Sequence, residues 1–342
     1  MRRFLGVCMD KKRLYEYDFL RVMAFLMIVM YHINATGIAS FSMPFLSSGE
    51  LGAIGVGIYI MLSGFLLSYH YNGGVKSFYK KRIISIMVPF WTAYIMVLLV
   101  KCIFIKDIGG WSWGDRPAIS FLLTVFGMDG YLLYKIPNYY LLGEWFLGLI
   151  IIYYIAFPFL YRLAQRFPKS LLLVTIGIFL YVIQHYIWEM SIIRNPIVLL
   201  PFFVIGILAN SYIGKDLDFF ISIFFFCFLF NHISLYDSCI GILVKTIIIF
   251  YAYLMAGKFV ANSVIAQKIF EKLSYYSYGM FLFHHVIIYY FESRFFLNTE
   301  KVDSITAIVM LFVVCILSLL FSFVMDEVIK FIKQIKGKVN EK

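Results

Sequence analysis

Ten stretches of almost unbroken apolar sequence dominate this 342-residue chain, at residues 18–37, 51–70, 84–105, 144–163, 171–189, 195–213, 217–235, 238–257, 276–293 and 303–325. At 1.5 Å per helical residue, each is long enough to cross a hydrocarbon layer of about 30 Å. A soluble core of this size does not need 62% apolar residues with only 14% charged. The expected fold is therefore an all-α, polytopic membrane helix bundle of about ten transmembrane helices. No detachable soluble domain stands out, so residues 1–342 read as one integral membrane domain. No internal repeat stands out either, which disfavours transporter folds built from inverted halves.

The cations lie between these stretches and are unevenly shared. With ten spans, one side of the membrane receives 21 Lys and Arg and the other six, while Arg21, Lys101 and Lys245 fall within spans. The positive-inside rule then places both termini in the cytoplasm. Residues 118–134 are also apolar, but they are shorter and Gly127, Asp129 and Gly130 interrupt them. An eleventh span there would flip every later loop and level the split to 13 against 14. Residues 106–143 are thus expected to form one outer loop, with 118–134 interfacial or re-entrant. Residues 1–17 and 330–342 become cytoplasmic tails, the second a helix extension on an anionic leaflet or a solvated end. The net charge of +11 belongs to these loops. No basic–aromatic groove or nucleic-acid motif accompanies it, so no nucleic-acid partner is expected. The first run follows a basic start, as a signal peptide would, but it is too long for an h-region and reads as a retained helix. Five scattered cysteines show no paired spacing, so neither a disulfide nor a metal site is expected.

Chemistry enters with Arg21 and His32. Eleven helical steps bring them to one face, roughly 16 Å apart along the axis, with Asp18 near that face. Ionisable groups inside a membrane helix are expensive and by default face a cavity. In the topology above, Arg21 lies just inside the cytoplasmic boundary and His32 about 14 residues in, roughly 21 Å deep. Such a pair can grip an anion at one end and do chemistry at the other. An acyl-CoA would set its phosphates on cytoplasmic cations and extend its pantetheine arm inward, bringing the thioester to His32. The imidazole has the right intrinsic pKa to take a proton from an attacking hydroxyl near neutral pH. Taken singly, Arg21 could be snorkelling to headgroups and His32 could be a buried helix–helix hydrogen bond. Their common face favours the functional reading.

Other positions carry weaker signals. Gly52, Gly55 and Gly57 permit close helix packing, and Ser63 and Gly64 could line a channel for a narrow ligand. Lys80, Lys81 and Arg82 form the best cytoplasmic anion site, although they also serve orientation. His284 and His285 lie about 100° apart on a helix, so at most one is expected to share the His32 cavity. His284, near mid-membrane, is the one favoured here. His70, His185 and His232 lie near span ends. Glu144 reads as a helix N-terminal acid stabilised by the dipole, or as a group meeting a polar acceptor.

This ordered set resembles acyltransferase family 3, the integral membrane acyltransferases that O-acetylate bacterial surface glycans. Asp18, Arg21 and His32 match the spacing in that family's first helix, and Gly55–Val56 through Ser63–Gly64–Phe65 its second. The basic segment Phe78 to Arg82, running into Pro89–Phe90–Trp91, resembles the next. Trp145–Phe146–Leu147 with Tyr153, Tyr154 and Pro158 resembles the fourth, and Ser277–Tyr278 through Leu282 and His284 the penultimate helix. Two positions depart from common patterns. Ser85 stands where many members carry a second arginine, and Ile150 where some carry a glutamate. Phosphate binding then leans on Lys80, Lys81 and Arg82.

The resemblance implies a membrane O-acyltransferase in the cytoplasmic (inner) membrane of a bacterium. It would move acetyl from acetyl-CoA, a donor and not a prosthetic group, to a sugar hydroxyl of a cell-surface polysaccharide or lipid-linked glycan. His32 would be the general base or a transient acyl carrier, Arg21 the cofactor anchor or cavity organiser, and His284 a further catalytic residue. Lys80, Lys81, Arg82, Ser63 and Gly64 would meet the donor. The partners are then acyl-CoA, the glycan acceptor and membrane lipids. A non-enzymatic exporter of such a glycan, or a structural partner of a glycan assembly complex, is the alternative that the Arg21/His32 pair disfavours.

Overall fold

The computed structural model describes residues 13–42, 46–105, 116–142, 145–212, 239–295 and 302–340. All regular elements among them are helical. They are α1 Tyr15–Ala35, α2 Glu50–His70, α3 Val75–Val100, α4 Phe121–Val125, α5 Asp129–Leu132, α6 Trp145–Arg166, α7 Pro168–Gln184, α8 Pro196–Tyr212, α9 Cys239–Val260, α10 Val264–Phe295 and α11 Ser304–Asn340. Six of these, α1, α2, α3, α6, α9 and α11, are long and apolar enough to cross a membrane, and α7 and α8 are shorter apolar helices. The expected span at 217–235 lies outside the described residues.

Several helices outrun their apolar stretches. α3 begins at Val75, so Lys76, Lys80, Lys81 and Arg82, expected in a loop, occupy its first turns. α10 begins at Val264, twelve residues before the expected 276, and α11 runs on to Asn340 through the expected tail. Hydropathy marks only the part of a helix suited to lipid. Lys, Arg, Glu and Gln are good helix formers, and the helix continues through them.

α2 is the central helix, and its glycines explain why. A Cβ on Gly55 would stand 3.0 Å from the Ala24 carbonyl and 2.9 Å from Ile28 of α1. One on Gly57 would meet Thr246 of α9 and Phe202 of α8 at 2.8 and 2.9 Å. Gly64 abuts the backbone of α8 at Phe203 and Ile207, and Gly206 of α8 abuts the backbone of Met61. Small residues here let three neighbours approach one helix, which is how membrane helices associate without a hydrophobic driving force. These contacts also set direction. Tyr17 stacks on Phe65 and Gly52 faces Tyr31, so α1 and α2 are antiparallel. Phe19 packs on Phe270 and His32 on His285, so α1 and α10 run the same way.

Prolines within α3 and α6 are supported from other helices. Pro89 and Pro158 each disturb the preceding turn. In each case the carbonyl three residues earlier accepts a tyrosine hydroxyl: Tyr278 donates to Ile86 O at 3.0 Å, and Tyr79 to Ile155 O at 2.8 Å. Neighbouring helices thereby satisfy the loosened backbone.

Residues 118–134 form a short 3₁₀ turn, α4 and α5, with a reversal at Gly127 (φ 67°). Neither helix is long enough to cross. Trp91 Nε1 donates to Val125 O at 3.0 Å, Tyr94 donates to Tyr139 O at 2.7 Å, and Gly148 leaves room for Tyr131. The segment is therefore folded against the flanks of α3 and α6.

Candidate active site

The Arg21 and His32 side chains of α1 both point at α10. Near one end Arg21 Nη1 donates to Ser274 Oγ at 3.2 Å. Near the other, His32 Nδ1 lies 2.7 Å from His285 Nε2. The common face expected from their spacing is the face α1 turns to α10. His32 lies in the last turn of α1, about 26 Å along the axis from Tyr15, because the helix starts at Tyr15 and stops at Thr36, before Gly37 at φ 77°.

Of the tandem histidines one lines the His32 cavity, and it is His285 where the sequence favoured His284. Their 100° separation straddles the contact with α1, so both rings lie against it. The His285 ring stands perpendicular to His32 at 3.9 Å between centroids, and His284 is tilted at 5.2 Å. The roles also differ from expectation. His285 bonds His32 and lines a cavity with it. His284, fully buried, sits behind, its Nδ1 donating to Phe281 O at 2.6 Å and its ring packed on Phe25 and Phe281. One nitrogen from each of the three imidazoles lies within 4.8 Å of the others. The 2.7 Å contact is a hydrogen bond, since two imidazoles on one tetrahedral zinc stand roughly 3.3 Å apart at the usual Zn–N length.

The His32 cavity has a volume of about 230 Å³ and includes Tyr31, Trp145, Arg194, His285 and Tyr289 in its wall. A second cavity, of about 310 Å³, opens at the other end of α1, lined by Arg21, Ser63, His70, Lys81, Arg82 and Tyr154. Arg82 Nε is buried there and makes no hydrogen bond. The structure thus gathers Arg21, Ser63, Lys81 and Arg82 around one space. Lys80 is exposed outside it, and Gly64 turns to α8. A buried polar cluster adjoins Arg21. Ser274 Oγ accepts from Arg21, Ser277 Oγ donates to Ser274 O at 2.7 Å, and the buried Tyr59 side chain lies beside Ser277 and Arg21. Asp18, also buried, is held by Arg13 at 2.9 Å, and Arg13 reaches Glu271 of α10 at 3.1 Å.

Away from both cavities, in the short-helix segment, Asp129 is 2% exposed. Burial pushes its carboxyl up to about 7, against the opposing hydrogen bond from the Gly130 N–H.

His285 as the partner of His32, and Trp145 and Arg194 as cavity walls, escaped the reading of the sequence. The histidine tandem was visible, but which member bonds His32 depends on the rotation of α10 against α1. Arg194 carried no signal beyond its place on the cation-poor side. Glu144 and His232 lie outside the described residues.

No curated protein and no solved structure matches the chain. The family model for the acyltransferase domain matches residues 14–327, which takes in both cavities and every candidate residue, and the chain therefore belongs to acyltransferase family 3.

Proposed function

We propose that this membrane acyltransferase moves acetyl from acetyl-CoA to a sugar hydroxyl of a cell-surface polysaccharide or lipid-linked glycan, working as a bundle of about ten spans with both termini in the cytoplasm of a bacterium. The observation that carries the reading is the placement of two cavities at opposite ends of α1, one walled by cations and one by the His32–His285 pair. CoA phosphates pair with Arg21, Lys81 and Arg82 by charge-assisted hydrogen bonds. The pantetheine arm spans the axial distance of roughly 16 Å from Arg21 to His32.

At the far end His32 acts as general base. In the competent tautomer His32 Nδ1–H donates to His285 Nε2, which leaves the lone pair on His32 Nε2. His285 is a positioning residue that fixes this tautomer. The acceptor hydroxyl gives its proton to Nε2 as its oxygen attacks the thioester carbonyl. The C–S bond breaks, and the departing thiolate of CoA takes the proton back from His32. His32→Ala should abolish acetylation of surface glycans, read by mass spectrometry as loss of one acetyl mass, while the protein still accumulates in the membrane. Normal acetylation in a well-expressed His32→Ala strain refutes the base assignment.

A further inference from the structure

Arg194 stands in the wall of the His32 cavity, and the chemistry proposed above gives it no task. It ends a 3₁₀ turn, Ile192–Arg194, whose backbone closes through Arg194 N–H to Ser191 O at 2.9 Å. The next residue, Asn195, is 2% exposed and caps α8 through Oδ1 to the Ile197 N–H at 2.8 Å. Tyr153 holds the following carbonyl, that of Pro196, at 2.8 Å. The turn that carries Arg194 is thus pinned on both sides. Its guanidinium lies over the Trp145 ring at 5.6 Å, a cation–π distance that orients a planar donor.

Among the described residues lining this cavity, Arg194 is the one with a full positive charge, and none is a carboxylate. Tyr31, Trp145 and Tyr289 are aromatic residues of the cavity wall. Membrane orientation does not account for an arginine here. In the proposed topology it falls on the outer side, where cations are few and the positive-inside rule asks for none. A guanidinium fork at the mouth of a mostly apolar pocket is instead suited to a planar or tetrahedral oxyanion.

We infer that the His32 cavity selects an acidic acceptor, a sugar whose carboxylate or phosphate pairs with Arg194 while its ring lies among Tyr31, Trp145 and Tyr289, close to His32. The inference rests on the acyltransferase reading for the identity of the cavity, but the anion site can be measured without acyl transfer. The test uses the purified full chain in nanodiscs, without acyl-CoA, and equilibrium dialysis of three labelled probes: methyl glucuronide, glucose 6-phosphate and neutral methyl glucoside.

The parent protein should bind one or both charged probes in preference to the neutral one. Arg194→Ala should lower that preference by about tenfold or more, the weight of one charge-assisted hydrogen bond. Arg194→Lys, which keeps the charge and loses the fork, should retain part of it and guards against a misfolded alanine variant. A preference confined to glucuronide assigns a uronic-acid carboxylate, and one confined to glucose 6-phosphate assigns a phosphorylated sugar. Equal binding of charged and neutral probes by the parent, or an unchanged preference in a monodisperse Arg194→Ala protein, overturns the inference. An intact Arg194-dependent preference without any acetyl transfer on adding acetyl-CoA would remove the acyltransferase reading and leave the anion site standing.

Discussion

Glu50 opens α2, Lys245 lies within the first two turns of α9, and their buried ion pair beside the His32 cavity allows a magnitude to be worked out. Lys245 Nζ and Glu50 Oε1 are 2.6 Å apart, with side chains 12% and 2% exposed. Glu50 Oε2 also accepts the Ser47 N–H at 2.9 Å, and Gly49, Gly52 and Ile242 next to the pair line the cavity. Lys245→Met leaves a buried carboxylate with one backbone donor and no counter-charge, which costs about 3–5 kcal/mol. For a chain of this length each kcal/mol lowers the unfolding midpoint by roughly 1.4 °C, so the expected drop is roughly 4–7 °C. Glu50→Gln combined with Lys245→Met removes both desolvation penalties and keeps an acceptor for Ser47, so the double variant should recover most of the loss. Thermal unfolding in detergent, followed by loss of the monodisperse chromatographic peak, reads all three proteins. If Lys245→Met unfolds within about 1 °C of the parent, or the double variant is no more stable than the single, the pair is not a buried, charged contact and the argument fails.

Gly64→Ala should cost the fold and not the donor site, because its Cβ meets the α8 backbone at Phe203 and Ile207. The variant should be depleted in monodisperse protein, and a well-folded Gly64→Ala with weakened acetyl-CoA binding would return Gly64 to the donor channel. Cation substitutions should form a graded series in acetyl-CoA affinity: Lys80→Ala mild, since Lys80 is exposed outside the cavity, Arg82→Ala intermediate, and both Arg21→Ala and Arg21→Lys severe because the fork geometry is lost. Four proteins that all bind like the parent would sink the donor assignment. Asp129 has its carboxyl raised to about 7, so the folded state holds this proton more tightly than the unfolded chain. That contribution is full below about pH 4 and is lost as pH rises towards 7, a change of about 4 kcal/mol at 1.36 kcal/mol per unit. Asp129→Asn should flatten the fall in unfolding temperature between pH 4 and 7, and identical slopes in the two proteins would refute the burial argument.

The helical bundle and the common face of Arg21 and His32 were legible without a structure. Hydropathy over twenty residues is a sum along the chain, and 100° per residue is a property of the backbone, so neither needs a neighbour. The gathering of Arg21, Ser63, Lys81 and Arg82 was also foreshadowed, because the cations in the first turns of α3 and a serine in α2 lie on either side of one short connection. Helix ends were less legible. Lys80, Lys81 and Arg82 belong to α3 because helix propensity outlasts apolarity. What only the tertiary structure decided is rotation. Whether His284 or His285 bonds His32, whether Gly64 faces a ligand or α8, and whether Arg194 points at Trp145 all depend on how one helix is turned against another. That turn is set by close approaches between residues far apart in sequence, such as Gly64 against Phe203 and Gly206 against Met61. A single helix carries no record of those distances. In an apolar bundle many rotations bury similar area, and steric fit between helices selects one.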